Sequence, residues 1–86
     1  MATRSWRDTV VFKHDFRIRG VDRALAPGSY EIVTDEEEIE GLSFLAFRRI
    51  ATYLRAADYS RTGVRTESFD IDPNDLKEAL RMDALM

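Results

Sequence analysis

Hydrophobic and charged residues alternate from residue 10 to residue 19, the pattern of a strand with one buried face. The predicted buried face consists of Val10, Phe12, His14, Phe16 and Ile18. The opposite face is charged, and Gly20 ends the alternation. We therefore predict a half-buried strand over residues 10–19, preceded by a flexible N-terminal arm at residues 1–8.

A second strand is predicted at residues 30–34, where β-branched side chains follow a turn. Pro27 and Gly28 fit the two central positions of a type II turn, because proline presets φ and glycine accepts a positive φ.

The acidic residues that come next predict one helical turn at residues 35–40. Thr34 and Glu37 have the spacing of a capping box, in which each side chain bonds the other residue's backbone N–H. Carboxylates are also favourable at the positive end of a helix, and Gly41 is a natural end for the turn.

Residues 42–57 fit two patterns. As a helix they present a stripe of Phe47, Ile50 and Leu54, whereas as a strand the alternate residues from Phe44 to Leu54 share one face. A polar turn region and a second alternating run, residues 64–71, follow. Because two such runs around a turn are typical of a hairpin, we favour the strand and keep the helix as the alternative.

The C-terminus predicts a helix over residues 73–83. Asp72 is a favourable N-cap, Pro73 suits the first helical position, and Asp75 lies in the first turn. A narrow apolar stripe follows, formed by Leu76, Ala79 and Leu80.

Together these elements predict one mainly β (α+β) domain over residues 1–86. It contains a small four-stranded antiparallel sheet, curled or barrel-like, with a short helical turn and a C-terminal helix packed on it. A chain of this length builds a single modest core. The edge strands of such a sheet must be covered or paired. We expect the C-terminal helix to cover one edge and a second copy of the chain to cover the other.

The composition excludes several classes of protein. The chain contains no cysteine, which rules out disulfides, cysteine-ligated zinc and a thiol nucleophile, and which favours the cytoplasm. The N-terminus lacks a signal-peptide pattern, and no stretch approaches the roughly 20 apolar residues of a membrane-spanning helix. We therefore predict a cytoplasmic protein with no membrane partner.

The net charge of −3 is distributed in blocks. Residues 1–30 sum to +3, residues 31–40 to −6, residues 41–66 to +4 and residues 67–86 to −4. Blocks of alternating sign are expected to neutralise one another across a compact fold. The dominant basic face that nucleic acid requires is not indicated.

One resemblance bears on the chain as a whole. The segments from Pro27 to Glu37, from Glu40 to Phe44 and from Ala46 to Arg49, with the closing phrase from Ile71 to Leu76, resemble a group of small bacterial proteins to which no activity is assigned. The resemblance covers about residues 10–83. It implies a single intact domain and carries no site residue.

His14 is the only histidine and the first candidate for chemistry. A histidine can act as a general base or a metal ligand near neutral pH, and this one lies in the apolar file between Phe12 and Phe16 and is a candidate for lining a pocket. Zinc sites take several histidine or cysteine ligands, however. We therefore favour a structural imidazole and predict no metal and no cofactor.

The acidic run offers carboxylate oxygens at four consecutive positions, Asp35, Glu36, Glu37 and Glu38. Calcium loops space their ligands at alternate positions around a central glycine, and this run lacks that spacing. We predict instead an acidic face that contacts the chain's own arginines or a basic protein partner.

Arg48 and Arg49 suggest a phosphate site, since guanidinium groups match phosphate geometry. On a strand, however, adjacent residues point to opposite faces and cannot clamp one phosphate together. We expect one of the two to pair with the acidic run. The arginines of residues 44–65 lie among aromatic residues, but the glycine-aromatic phrases of common RNA-binding modules are missing.

A catalytic site is not indicated. Ser43 half-matches a nucleophile elbow whose second glycine is absent, and no pair of titratable groups has a recognisable catalytic spacing. The sequence therefore favours a non-catalytic protein-interaction module with the capacity to self-associate as a homodimer. The alternative is a weak nucleic-acid-binding domain that uses the arginines of residues 44–65.

Overall fold

The computed structural model describes residues 2–60 and 63–86, which form a four-stranded antiparallel sheet and one C-terminal helix. The elements are β1 (Thr3–Phe12), β2 (Gly28–Glu38), β3 (Phe47–Ser60), β4 (Gly63–Asp70) and α1 (Pro73–Leu85). The strands are neighbours in chain order, and the sheet is open, not closed into a barrel. The predicted fold class, mainly strand with a small helical part, is confirmed.

β1 begins at residue 3 and ends at residue 12, whereas the alternation predicted a strand over residues 10–19. The predicted flexible arm is wrong for residues 3–8, because each of them pairs with β2; Met1 lies outside the described residues. This stretch has few apolar side chains. Its pairing rests on backbone hydrogen bonds and cross-strand polar contacts, which an apolar periodicity does not detect.

After β1 the chain leaves the sheet and folds back on itself. The backbones of Phe16 and Leu25 exchange two hydrogen bonds, of 3.0 and 2.8 Å, and both side chains are buried. Ile18 is buried as well. The apolar residues of the predicted strand therefore do reach the core, but the last of them reach it from an irregular segment.

The predicted helical turn at residues 35–40 is wrong, because β2 continues through this acidic run to Glu38. Thr34 faces Trp6 of β1 and Thr52 of β3 across the sheet, so the capping box with Glu37 does not form. A central strand gives the carboxylates arginine partners on both sides, which a solvated helical turn would lack. Tertiary pairing overrides the local capping signal here.

The turn before β2 also differs from its prediction. Gly28 has a φ of +150° and is the first residue of β2, whereas a type II turn needs a φ of about +80° at this position. The Tyr30 hydroxyl donates a hydrogen bond of 2.5 Å to the Ala26 carbonyl and holds the connection in place.

The strand interpretation of residues 42–57 is confirmed from residue 47 onward. The preceding residues 39–46 form the connection between β2 and β3 instead. A register shift opposite Asp35 and Glu36 marks a β-bulge, and Ile50 is the extra residue on β3. β4 completes the predicted hairpin, although residues 61 and 62 of its turn lie outside the described residues.

The core lies on one face of the sheet, which we call the inner face. Its buried side chains are Phe12, Phe16, Ile18, Leu25, Ile32, Leu54, Ile71 and Leu76. The rings of Phe12 and Phe16 stack in parallel with their centroids 3.5 Å apart. This core occupies the end of the sheet where β1 finishes and β2 starts.

α1 begins as predicted and extends two residues further, to Leu85. The Asp72 side chain accepts a hydrogen bond of 2.7 Å from the Asn74 backbone, which confirms the N-cap. Leu76 is buried, while Leu80 is only partly buried. The helix packs against the segment that follows β1 and does not run along an edge of the sheet. Both edge strands therefore lack a covering element among the described residues.

Candidate interaction surface

The hydrophobic core does not extend to the end of the sheet where β1 begins and β2 finishes. Beyond Thr34 and Thr52 the described residues of the inner face include no member of the core cluster, and α1 approaches this region at Arg49, which lines a pocket together with Asp75. We call this region the uncovered end and define it as residues 2–8 of β1, residues 35–38 of β2, the connection 39–46 and residues 47–50 of β3.

A polar and aromatic cluster spans three strands of the uncovered end. The Arg4 guanidinium carbon lies 3.7 Å from the ring centroid of Phe47 and 5.0 Å from that of Trp6. Arg4 Nε also donates a hydrogen bond of 2.8 Å to Glu36 Oε1, and the Trp6 indole N–H donates to the same oxygen. We call these four residues the Arg4 cluster; each strand contributes because antiparallel register places these positions side by side.

The charge of Glu36 is stabilised within this cluster. Hydrogen bonds from Arg4 and then from Trp6 lower the pKa of the Glu36 carboxyl below its ordinary value, against the opposing effect of burial. The carboxylate is therefore ionised at neutral pH and holds both the guanidinium and the indole in fixed orientations.

The connection between β2 and β3 presents apolar side chains to solvent. Leu42, Phe44 and Leu45 are 44%, 66% and 72% exposed. The base of the connection is closed by a hydrogen bond of 2.9 Å from the Ile39 N–H to the Ala46 carbonyl. Three neighbouring apolar side chains held out at a loop tip are the kind of exposed patch that marks an interaction site in a soluble protein.

The opposite, outer face of the sheet is a ladder of charge pairs. Glu31 Oε1 on β2 accepts from Arg7 of β1 at 3.3 Å and from Arg55 of β3 at 2.9 Å. Further along, Arg48 Nε donates to Glu37 at 2.6 Å. The acidic strand thus lies between two strands that supply cations, which confirms that the charge blocks neutralise one another.

The two candidate arginines occupy opposite faces, as the strand pattern predicts. Arg48 faces Glu37 on the outer face, whereas Arg49 faces Glu36 in the register of the inner face. Arg49 Nη1 donates to the Thr52 hydroxyl at 3.4 Å. The prediction that one of the pair contacts the acidic run is confirmed by Arg48.

The four candidate carboxylates do not converge. Asp35 and Glu37 belong to the outer face and Glu36 and Glu38 to the inner face, because side chains alternate along β2. Asp35 instead accepts a hydrogen bond of 2.6 Å from the Ser5 hydroxyl. Within the described part of the chain, no group of three or more acidic or histidine residues is placed to hold a metal ion.

His14 lies outside the sheet, in the segment that joins β1 to Phe16. Its Nδ1 is 2.9 Å from Asp83 Oδ1, and the Asp83 carboxylate also accepts the backbone N–H groups of His14 at 2.9 Å and Lys13 at 3.0 Å. The Lys13 backbone bond, with the His14 bonds, lowers the pKa of the Asp83 carboxyl despite burial. Asp83 thereby ties α1 to the end of β1.

The pocket expected at His14 lies elsewhere. A cavity of about 440 Å³ separates residues 15–19 from α1, and Asp83 lines it whereas His14 does not. Its walls combine apolar residues such as Ile18 and Met82 with charged ones. The position of His14 therefore fits the structural role that the sequence favoured.

Two parts of the surface were missed by sequence reasoning. Trp6 fell within the predicted flexible arm, and the apolar residues of the connection 39–46 were assigned to a predicted helical turn and strand. The sequence does carry a signal for Trp6 and for the connection 39–46. Trp6 has the same even-numbered parity as Val10 and Phe12 of the alternating run, and the apolar residues from Leu42 to Leu45 directly follow Gly41.

Comparison with known proteins adds nothing to this geometry, since no family model, curated protein or solved structure matches the chain. No helix in the described ranges, 2–60 and 63–86, has the length and apolar character required to cross a bilayer.

Proposed function

We propose that this chain is a non-catalytic protein-interaction module that binds its partner through the uncovered end. The observation that carries the proposal is the exposure of apolar side chains there. Phe44 and Leu45 lie mostly in solvent, and Trp6, the only tryptophan of the chain, is 56% exposed. Protein interfaces are enriched in aromatic residues at their centres, and the uncovered end supplies them.

The Arg4 cluster supports a binding role because its members are already ordered. Tryptophan and arginine are the residues that most often dominate binding energy in interfaces. Glu36 fixes both Arg4 and Trp6 by hydrogen bonds, so less side-chain entropy is lost when a partner covers them. The matching partner presents apolar side chains to the connection 39–46 and a hydrogen-bond acceptor to Arg4.

The charge ladder argues against the nucleic-acid alternative. Arg48 and Arg55 contact carboxylates of β2, and phosphate would have to displace those partners. Arg49 is exposed on β3 and donates to the Thr52 hydroxyl, Arg65 is exposed on β4, and Arg61 lies outside the described residues. The cations of residues 44–65 thus form no free basic stripe within the described residues.

The test is a selection of displayed random peptides on the intact chain. We expect the selected peptides to carry aromatic or aliphatic anchors and to lose binding to the Phe44→Ser and Leu45→Ser variants. Leu85→Ser is the matched control, because Leu85 is 70% exposed at the end of α1, remote from the connection. Peptides that bind the loop variants unchanged, or that lose binding to the Leu85 control, would overturn the proposal.

A further inference from the structure

Alternate residues of β1 turn their backbone N–H and C=O groups away from β2. The Glu38 N–H donates to the Ala2 carbonyl at 2.8 Å, so the pair Ala2 and Glu38 is hydrogen-bonded, and in antiparallel sheets such pairs alternate. The even-numbered residues of β1 therefore bond to β2, and the odd-numbered residues turn their N–H and C=O groups outward. Thr9 agrees with this assignment, since its N–H donates to the Asp8 side chain at 2.9 Å.

This edge carries the charged residues Arg4, Arg7 and Asp8, but it lacks other features that prevent strand addition. Edge strands are commonly shortened, bulged, or interrupted by proline or lysine. β1 is ten residues long, contains neither proline nor lysine, and pairs with β2 without a register shift. Residues 3–9 are exposed, and no described element packs on their outer edge.

We propose that a second copy of the chain covers this edge, with the two β1 strands antiparallel and Trp6 facing Trp6 of the second copy. In β1 only the odd-numbered residues turn backbone N–H and C=O groups outward. When the β1 strands of two copies pair, odd-numbered residues must therefore face odd-numbered residues. The inner faces of the two copies then lie on the same side of one continuous sheet. A two-fold axis relates the copies, and the pairing closes without further addition at β1.

Charge selects this register among the allowed ones. Centring the pairing on Trp6 places Arg4 of each copy opposite Asp8 of the other, twice per dimer. Centring it on Arg7 or on Asp8 instead brings like charges face to face, which destabilises a strand pair. Centring it on Ser5 pairs no opposite charges.

The inference deepens the proposed function. It rests on that function in one respect, which is that the dimer contact and the peptide site both use the uncovered end. The dimer requires the edge of β1, whereas the peptide test probes the connection 39–46. A monomeric chain that still binds the selected peptides would overturn the dimer and leave the proposed function standing. A dimer that binds no peptide at the connection would overturn the function alone.

Sedimentation equilibrium of the full chain tests the register through charge reversal. Arg4→Asp and Asp8→Arg should each raise the dimer dissociation constant roughly tenfold or more, because each creates two like-charge pairs. An equimolar mixture of the two variants should recover the dimer as a heterodimer. Arg7→Asp is the matched control, since residue 7 faces Ser5 of the second copy. A monomeric wild-type chain would overturn the inference. So would a mixture whose dimer dissociation constant is no lower than that of either variant alone.

Crosslinking tests the register independently of charge. The chain contains no cysteine, so Trp6→Cys introduces its only thiol. Facing residues at this position have Cα atoms about 4.5 Å apart, within disulfide range. Mild oxidation should link the Trp6→Cys chains and leave Val11→Cys, of similar exposure on the same strand, unlinked. Equal linkage of the two variants, or none for Trp6→Cys, would contradict the proposed register.

Discussion

Gly20 allows the segment after β1 to pass close to the end of β4. It adopts a φ of +100°, and a Cβ at this position would lie 2.6 Å from the Asp70 carbonyl oxygen. Gly41, in the connection 39–46, also has a positive φ of +82° but has open space around it. A side chain at Gly41 would therefore strain only the backbone, whereas a side chain at Gly20 would also clash with a neighbouring atom.

Gly20→Ala should destabilise the fold more than Gly41→Ala. The left-handed backbone alone costs a non-glycine residue about 1–2 kcal/mol, which is the effect expected at Gly41. At Gly20 the displaced Asp70 carbonyl adds to that cost. Urea unfolding of both variants measures the difference, and equal midpoints would show that the close approach is absent.

Asp83 makes stability depend on pH. Its pKa is lowered in the folded chain, first by the Lys13 backbone hydrogen bond and then by those from His14. A carboxyl with a lowered folded pKa stabilises the fold fully above its unfolded pKa of about 3.9, and the contribution is lost as the pH falls through the folded pKa. Asp83→Asn should therefore destabilise the chain at neutral pH and flatten its acid unfolding profile.

The measurement for Asp83 is the urea midpoint from neutral pH down to acid. Asp22→Asn serves as the control, because the Asp22 side chain is 94% exposed to solvent. An Asp83→Asn chain whose acid profile parallels the wild type would contradict the role given to the Asp83 contacts.

At the scale of elements, the sequence predicted the parts whose signals are local or apolar. The cap at Asp72 and the apolar stripe that includes Leu76 defined α1, and the two alternating runs defined the hairpin of β3 and β4. β1 and the end of β2 were mispredicted because polar side chains dominate them. Their partners, such as Glu36 for Arg4, lie about thirty positions away in sequence, where local patterns carry no information.

α1 should contribute to stability mainly through Leu76. Truncating a buried leucine costs about 2–5 kcal/mol, so Leu76→Ala should lower the free energy of unfolding by that amount. Leu85→Ala, at an exposed position of the same helix, should change it by about 0.5 kcal/mol or less. Chemical denaturation measures the free energy of unfolding of the two variants. Comparable losses of this free energy would mean that α1 is not anchored through Leu76.

At the scale of the whole molecule, the fold spans 49 × 36 × 20 Å and covers only part of one sheet face. The charge blocks predicted mutual neutralisation, and the ladder across β1, β2 and β3 provides it. The sequence could not place the uncovered end, because its position depends on where α1 docks. That docking includes the hydrogen bonds from the backbone of residues 13 and 14 to Asp83, a contact that no residue pattern reveals.

Neutralisation across the sheet predicts that the chain does not bind nucleic acid. At about physiological salt, where the Debye length is roughly 8 Å, labelled single-stranded RNA and duplex DNA should show no change in fluorescence anisotropy. Binding that weakens with salt at a log–log slope near −0.7 per contact on single strands, and that disappears in Arg48→Ala and Arg49→Ala, would contradict this expectation.

We propose the uncovered end as the surface through which this chain binds protein. Amide hydrogen exchange of the chain, free and with a selected peptide bound, tests it most directly because it maps the contact along the backbone. We expect slower exchange in the connection 39–46, with the exchange of β4 and α1 unchanged. Slower exchange confined to α1 and residues 15–19, around the 440 Å³ cavity, would contradict it.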